Sequence, residues 1–183
     1  MRRLNAIVSM AVLALFLIHA AVGGLQLAGV LAGGSAVMSV LAWVMVGLIA
    51  VHVVIGIKLT ADTLAAQKKA GTAYFKENRL FWTRRISGMA VMLFIAAHII
   101  VFMGESSGGV YRLTLFNGVR LAEQILLVLS VGVHVITNIK PLMIAFGAKS
   151  GRELALDILL ITSAVLLISG VGFVIYYIRW LSF

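Results

Sequence analysis

The chain has 183 residues, of which 62% are apolar and 11% charged, and its mean hydropathy is +1.12. A water-soluble domain could not bury that much apolar surface, so the membrane is the solvent to consider. The net charge of +9 does not indicate a nucleic-acid partner, because the basic residues lie in short clusters between apolar runs. The absence of cysteine excludes disulfides, thiolate-held iron–sulfur clusters and thioether-bound haem.

The first part of the chain predicts two transmembrane helices. No charged residue occurs from Leu4 to Ile57, a stretch too long for one span, since about 20 residues cross the hydrocarbon layer. The segment Ala32-Gly33-Gly34-Ser35 divides it, so we expect helices over about residues 4–31 and 36–66, joined by a tight hairpin. The basic start resembles a signal peptide, but the apolar run exceeds the usual length of about 7–15 residues. We expect the first helix to be retained.

The rest of the chain predicts three more helices. After the polar segment from Asp62 to Arg79, apolar runs predict helices over about residues 80–103, 117–146 and 152–179. Gly104 and the Gly/Ser segment 106–109 should form a loop, and Pro141 should bend the fourth helix near its end. The expected fold is a single all-α membrane domain, residues 1–183, with five transmembrane helices.

The distribution of Lys and Arg predicts the topology, because these residues collect in cytoplasmic loops. With the N-terminus inside, twelve of the 15 basic residues lie on the inner side, so we expect a cytoplasmic N-terminus and an outer C-terminus. Trp82 at the inner boundary and Tyr176, Tyr177 and Trp180 at the outer one fit an aromatic belt. The inner set is Arg2, Arg3, Lys58, Lys68, Lys69, Lys76, Arg79, Arg84, Arg85, Lys140, Lys149 and Arg152, and the outer set is Arg112, Arg120 and Arg179.

The four histidines of the chain all lie inside apolar segments, one in each of the first four predicted helices. An ionisable side chain within the membrane is costly, so its presence there indicates a function. A histidine that only forms a hydrogen bond across a helix interface is the alternative for any one of them.

His52 and His134 are expected to lie at one depth. Each precedes a lysine by six positions, Lys58 and Lys140 respectively, and both lysines mark the inner end of a helix that runs inward. With a rise of about 1.5 Å per residue, both imidazoles then lie in the inner half of the membrane. We call them the inner pair.

His19 and His98 are expected to lie at a second depth. His19 follows Arg3 by 16 positions and His98 follows Arg85 by 13, on helices that both run outward. Both imidazoles should therefore lie in the outer half of the membrane, and we call them the outer pair.

Two neutral imidazoles that face each other across a helical bundle are what axial ligation of haem iron requires. Gly23 and Gly56 each follow a histidine by four positions, on the same helix face, and would leave room for the macrocycle. We therefore expect two haem b groups in a dihaem helical bundle. A copper or zinc site would require three or four ligands that converge on one ion, whereas these histidines form separate pairs. Histidines with a structural or proton-carrying role remain an alternative to haem ligands.

Basic residues near the helix ends are candidates for binding haem propionates, since arginine pairs well with carboxylates. The alternative for each residue is that it only anchors a helix end at the membrane boundary and binds no haem. The candidates are Arg84, Arg85, Lys58 and Lys140 near the inner pair, and Arg112 and Arg120 near the outer pair.

The segment Phe81-Trp82-Thr83-Arg84-Arg85-Ile86-Ser87-Gly88, followed ten positions later by His98, resembles the cytochrome b subunit of succinate:quinone oxidoreductases and fumarate reductases. The resemblance is to the kind with two haems on a single anchor subunit, and it covers essentially the whole chain. It implies that His19 and His98 bind the haem distal to the catalytic subunits. It implies that His52 and His134 bind the proximal one.

The resemblance also implies partners and a location. A flavoprotein subunit with covalent FAD and an iron–sulfur subunit would dock on the cytoplasmic face, against the basic loops 58–85 and 140–152. Electrons would pass through both haems to or from a membrane quinone, of which menaquinone is the more typical for the dihaem kind. The chain would be the quinone-reactive subunit of this enzyme in a bacterial inner membrane, with no dicarboxylate site of its own.

One feature departs from that family. Some members carry a glutamate beside the ligand on the fourth helix for proton transfer, whereas residues 131–133 and 135 around His134 are Val, Gly, Val and Val. Polar residues that could bind the quinone are few, and Gln26 and Glu105 are the candidates near the outer pair.

Three alternatives remain open at this point. A cytochrome b561-like protein also spreads four histidines over four helices, although it normally has a sixth span. Hydrogenase and nitrate reductase anchors tend to place two ligands on one helix. A haem-free transporter or proton channel would be expected to have charged or broken helices in mid-membrane.

Overall fold

A computed structural model of the chain describes residues 1–71, 78–103, 105–107, 110–112, 116–147 and 151–181, with the backbone alone for 105–107, 110–112, 180 and 181. Five helices make up most of the described chain, and each is long and apolar enough to cross a membrane. The chain is a multi-pass membrane protein, as predicted. The helices are α1 Arg2–Leu27, α2 Ala36–Ala70, α3 Arg79–Phe102, α4 Gly118–Ala145 and α5 Arg152–Leu181.

The connection between α1 and α2 is the tight turn that its glycines predict. Gly29 and Gly34 both have positive φ, at 80° and 82°, which glycine adopts without steric cost. Gln26 Nε2 donates to the carbonyl of Ala32 at 2.9 Å, and the Ser35 hydroxyl caps α2 by accepting from the N–H of Met38. Helix α1 therefore ends at Leu27, four residues before the predicted end.

Helix α2 continues to Ala70, four residues past the predicted end. Lys68 and Lys69 occupy its last turn, where cations interact favourably with the helix dipole. Gly71 ends the helix in the left-handed conformation, with φ of 65°. The polar composition of this segment, which suggested a loop, is that of a helix extending beyond the apolar span.

The predicted loop after α3 contains a short antiparallel hairpin. Strand β1 spans Glu105–Ser107 and strand β2 spans Val110–Arg112, with Ser106 opposite Tyr111. Asn117 then caps α4, since its Oδ1 accepts from the N–H of Arg120 at 3.0 Å.

The most extensive helix packing joins α3 with α4, α1 with α5, α1 with α2, and α4 with α5. Helices α1 and α5 meet at Gly24 and Gly172, where a Cβ on Gly172 would lie 2.7 Å from the Gly24 carbonyl oxygen. Ser169 Oγ donates to the carbonyl of Ala20 at 3.0 Å beside this crossing. Small residues that let two backbones meet, with a hydroxyl bond between them, are typical of membrane helix interfaces.

The outward faces of the bundle are apolar, as for helices surrounded by lipid. Large side chains such as Val40, Leu93 and Leu160 are each more than 60% exposed. At the end of the bundle near the hairpin, Val101, Phe116 and Phe173 form a buried aromatic and aliphatic cluster. Hydrocarbon replaces water around this protein, so the exposed apolar surface carries no penalty.

Candidate functional site

A large cavity lies within the bundle, with walls mainly from α1, α2, α3 and α4. Its volume is about 3110 Å³, several times the roughly 300–1,000 Å³ of an ordinary small-molecule pocket. All four histidines line it, with residues of both predicted depths on the same continuous wall. The cavity therefore has room for more than one large ligand.

The histidines lie in two pairs across this cavity. The ring centroids of His19 and His98 are 6.1 Å apart with an interplanar angle of 80°, and those of His52 and His134 are 6.3 Å apart at 85°. A histidine nitrogen binds a first-row metal ion at about 2 Å and the ring centre lies about 1.1 Å behind it, so two rings on opposite sides of one ion have centres about 6 Å apart. Both pairs have this spacing.

The inner pair is held by two serine hydroxyls. Ser9 Oγ donates its only proton to the carbonyl of Asn5 at 2.7 Å, so it can only accept from His52, whose Nδ1 lies 3.1 Å away. His52 therefore carries its proton on Nδ1. Its Nε2 keeps the lone pair that a metal requires.

The same arrangement holds His134. Ser87 Oγ donates to the carbonyl of Arg84 at 3.2 Å and lies 3.3 Å from Nδ1 of His134, and the Arg84 carbonyl also accepts a hydrogen bond from the His134 ring. Gly88 supports the same ring, since a Cβ there would lie 3.3 Å from His134 Cε1. Ser87 and Gly88, adjacent residues of α3, thus both lie against the His134 ring.

The outer pair is held differently. His98 Nδ1 donates to Oε1 of Gln124 at 2.7 Å, and Gln124 is fully buried. The ring of His98 also packs on Phe102 with a centroid distance of 4.7 Å. The ring of His19 has no comparable hydrogen bond among the residues that the structure describes.

The glycines predicted to provide room do line the cavity. Gly23 and Gly56 are both part of its wall, and a Cβ on either would meet no protein atom within 4 Å. Any side chain at these positions would therefore project into space that a ligand could use.

Arg84 satisfies a backbone group that proline leaves without a donor. Pro141 has no N–H, so the carbonyl of Thr137, four residues earlier, cannot form its helical hydrogen bond. Arg84 Nε donates to that carbonyl at 2.7 Å. This contact joins α3 to α4 one turn from His134, and Arg84 is also among the residues that line the cavity.

The other propionate candidates are distributed unevenly. Arg85 lines the cavity, with its guanidinium carbon 4.5 Å from the centre of the Phe81 ring, and Lys140 lines it as well. Lys58 pairs with Asp62 at 3.5 Å and does not line this cavity. Arg2, which was not among the predicted propionate candidates, does line it.

Two outer candidates for the propionates lie elsewhere. Arg120 pairs with Glu123 at 3.0 Å and does not line the cavity. The side chain of Arg112 lies outside the described part of the chain. Among the described side chains, the basic residues that line the cavity are therefore those expected beside the inner pair.

The two quinone candidates have different positions. Gln26 lines the cavity, with its amide nitrogen bonded to the α1–α2 connection. Glu105 lies beyond the end of α3, in β1, and its side chain is outside the described residues. Lys76 and Lys149 of the inner basic set and the Trp180 side chain also fall outside the description.

Sequence reasoning missed the residues that hold the histidines. Ser9 and Gln124 were not selected, although each is a polar residue within a long apolar run, which is a usable signal. Ser87 entered only as part of the resemblance. Of the four buried polar side chains in the described chain, two bond to a histidine, namely Ser87 and Gln124.

The fold and the site together define a class: a multi-pass membrane protein with two histidine pairs across one large cavity between its helices. Among the described residues, no group of three or more His, Cys, Asp or Glu side chains could hold a metal ion. No protein-family model, curated protein or solved structure matches the chain.

Proposed function

We propose that this chain is the dihaem cytochrome b subunit of a succinate or fumarate:quinone oxidoreductase, which anchors the complex and passes electrons between its iron–sulfur subunit and a membrane quinone. The observation that supports the haem sites is the spacing of the two histidine pairs, 6.1 and 6.3 Å between ring centroids. The hydrogen bonds on Nδ1 of three histidines, which leave Nε2 as the ligand nitrogen, support the same assignment.

Bound haem would supply one-electron exchange between ferric and ferrous iron. The residues of this chain fit that group. His19 and His98 would hold the outer haem and His52 and His134 the inner one, with Gly23 on the wall of the cavity that accepts them.

At the inner end, a set of cations would bind the carboxylates of the inner haem. Each of them lies at the cavity wall, and Arg84 is already fixed by its bond to the Thr137 carbonyl. The set is Arg2, Arg84, Arg85 and Lys140.

The proposed electron path follows from two haems at two depths. The inner end of the bundle is the basic end and would face the cytoplasm, with the N-terminus inside and the chain in a bacterial inner membrane. An iron–sulfur subunit and its flavoprotein would dock there, next to the inner haem. A quinone, by resemblance menaquinone, would react near the outer haem, where Gln26 lines the cavity.

The first experiment measures haem in the purified full-length chain. We expect two haem b per chain by the pyridine haemochrome assay, with the reduced spectrum of a low-spin b-type cytochrome. A folded but colourless preparation, loaded with excess haem during expression, would contradict the dihaem site.

The second experiment tests the partners and separates this protein from other dihaem cytochromes b. The tagged chain is isolated from its native membranes under mild detergent conditions. We expect an equimolar flavoprotein with covalent flavin and an iron–sulfur subunit, together with succinate:quinone or quinol:fumarate activity. A dihaem protein that carries neither flavin nor non-haem iron would contradict the assignment to this complex.

A further inference from the structure

Gln124 is an unusual residue in the interior of this bundle. It lies two turns into α4, its side chain has 0% exposure, and its Oε1 is 2.7 Å from Nδ1 of His98. No other histidine contact in the described chain is as short, since the serine contacts of His52 and His134 measure 3.1 and 3.3 Å.

Burying this amide has a cost that the fold does not recover. Nε2 of Gln124 has no hydrogen-bond partner among the residues that the structure describes. An unsatisfied buried amide group costs free energy, and it costs more where hydrocarbon surrounds the protein. A leucine or methionine at this place would avoid that cost, so packing alone does not explain a glutamine here.

The hydrogen-bonding chemistry of the amide oxygen explains why a glutamine occupies position 124. Oε1 of an amide can only accept a hydrogen bond, so this contact requires the proton of His98 to be on Nδ1. The ring is also held by aromatic packing, with Phe102 at 4.7 Å and Phe173 at 6.3 Å between centroids. Together these contacts fix both the tautomer and the orientation of the ring.

We propose that Gln124 is a positioning residue for His98, which holds it as the Nδ1–H tautomer and makes Nε2 a stronger ligand to the outer haem. This inference rests on the proposed function, because it presupposes that His98 binds haem iron. An acceptor on Nδ1–H increases the basicity of the ligand nitrogen, and a more basic nitrogen stabilises ferric over ferrous iron. Gln124 should therefore lower the midpoint potential of the outer haem.

The decisive variant is Gln124→Met, which keeps the length of the side chain and removes the acceptor. We expect the equilibrium of the outer haem to shift about tenfold toward the reduced form, which is 59 mV for one electron. We also expect a larger high-spin fraction in the ferric electron paramagnetic resonance spectrum of that haem. The inner haem should not change, and the outer component is identified as the one lost in His19→Ala.

Gln124→Glu provides an independent test if the methionine variant does not fold. It keeps an oxygen acceptor at the same place and adds negative charge, so it should shift the outer haem toward the oxidised form, opposite to Gln124→Met. The matched control is Thr162→Val, which removes a buried hydroxyl of α5 that bonds to no histidine in the described chain.

Opposite shifts confined to the outer haem would support the inference. If Gln124→Met behaves like Thr162→Val, if Gln124→Glu leaves the potential of the outer haem unchanged, or if both haems shift equally, Gln124 has only a structural role and the inference is wrong. If the wild-type chain binds no haem, the proposed function fails together with the inference. Two haems in the wild type with an unaffected Gln124 variant overturn the inference alone.

Discussion

The inner and outer histidine pairs occupy one cavity but are supported by different chemistry. Behind the inner pair stand two hydroxyls, Ser9 and Ser87, whose own protons go to carbonyls of the same helix. Behind the outer pair stands one fully buried amide, Gln124, on His98 only. Cations line the inner end of the cavity, whereas Phe102 and Phe173 pack on the outer ring.

This difference indicates how one bundle can hold two similar ligand pairs in unequal environments. The Ser9 and Ser87 hydroxyls beside the inner pair both donate to a carbonyl of their own helix, so neither leaves a buried donor unpaired. Around His98, the Gln124 amide nitrogen has no partner among the described residues, and two aromatic rings pack on the imidazole. Because polarity and hydrogen bonding on the ligands tune a haem, we expect the two haems to have separate potentials.

The largest expected effect comes from removing a ligand. His134→Ala should eliminate the inner haem and His98→Ala the outer one, so each variant should hold one haem instead of two. Haem per chain and the two steps of a redox titration are the measurements, with Thr162→Val as the control that keeps both. If either substitution alone removes both haems, the two pairs are not independent sites.

The next effect comes from filling the space beside the outer pair. Gly23→Leu should leave the helices intact, because a Cβ there meets no protein atom within 4 Å, but should reduce outer haem content severalfold. Gly47→Leu is the matched control, since its Cβ is equally free and Gly47 does not line the cavity. Equal haem loss in both variants would contradict this use of the cavity.

A smaller effect should come from the contact between α3 and α4 at the inner end. Arg84→Met should destabilise the protein by about 1–3 kcal/mol, because it leaves the Thr137 carbonyl without a donor. Pro141→Ala restores a helical N–H to that carbonyl, so Arg84→Met should cost much less in that background. Thermal unfolding in detergent of both single variants and of the double variant measures these losses of stability. If the two single effects simply add in the double variant, Arg84 does not compensate for the missing N–H of Pro141.

The smallest effect is expected at the serines. Ser9→Ala or Ser87→Ala should raise the potential of the inner haem by less than Gln124→Met raises that of the outer haem, because their contacts with histidine are 3.1 and 3.3 Å against 2.7 Å. Redox titration of the three variants tests the order. A larger shift from either serine would reverse the comparison between the pairs.

Much of the fold followed from composition and the positions of breakers. Five apolar runs predicted five helices, and the segment Ala32-Gly33-Gly34-Ser35 predicted the first connection, which begins earlier than expected, after Leu27. The errors lie at helix ends and in the hairpin. The extension of α2 to Ala70 depends on its lysine-rich last turn and the left-handed Gly71, and the pairing of β1 with β2 is a contact between segments without strong patterning.

The sequence by itself predicted the five spans and which histidines lie level with each other, because the position along a helix axis is the residue number times the rise. Which side chains hold those histidines was decided only by the tertiary structure, since Ser9 and His52 are 43 positions apart and His98 and Gln124 are 26 apart. The physical reason is that lipid makes nearly every face of these helices apolar. Periodicity then cannot identify the inward face, and rotation and neighbours are set by the packing of small and polar residues.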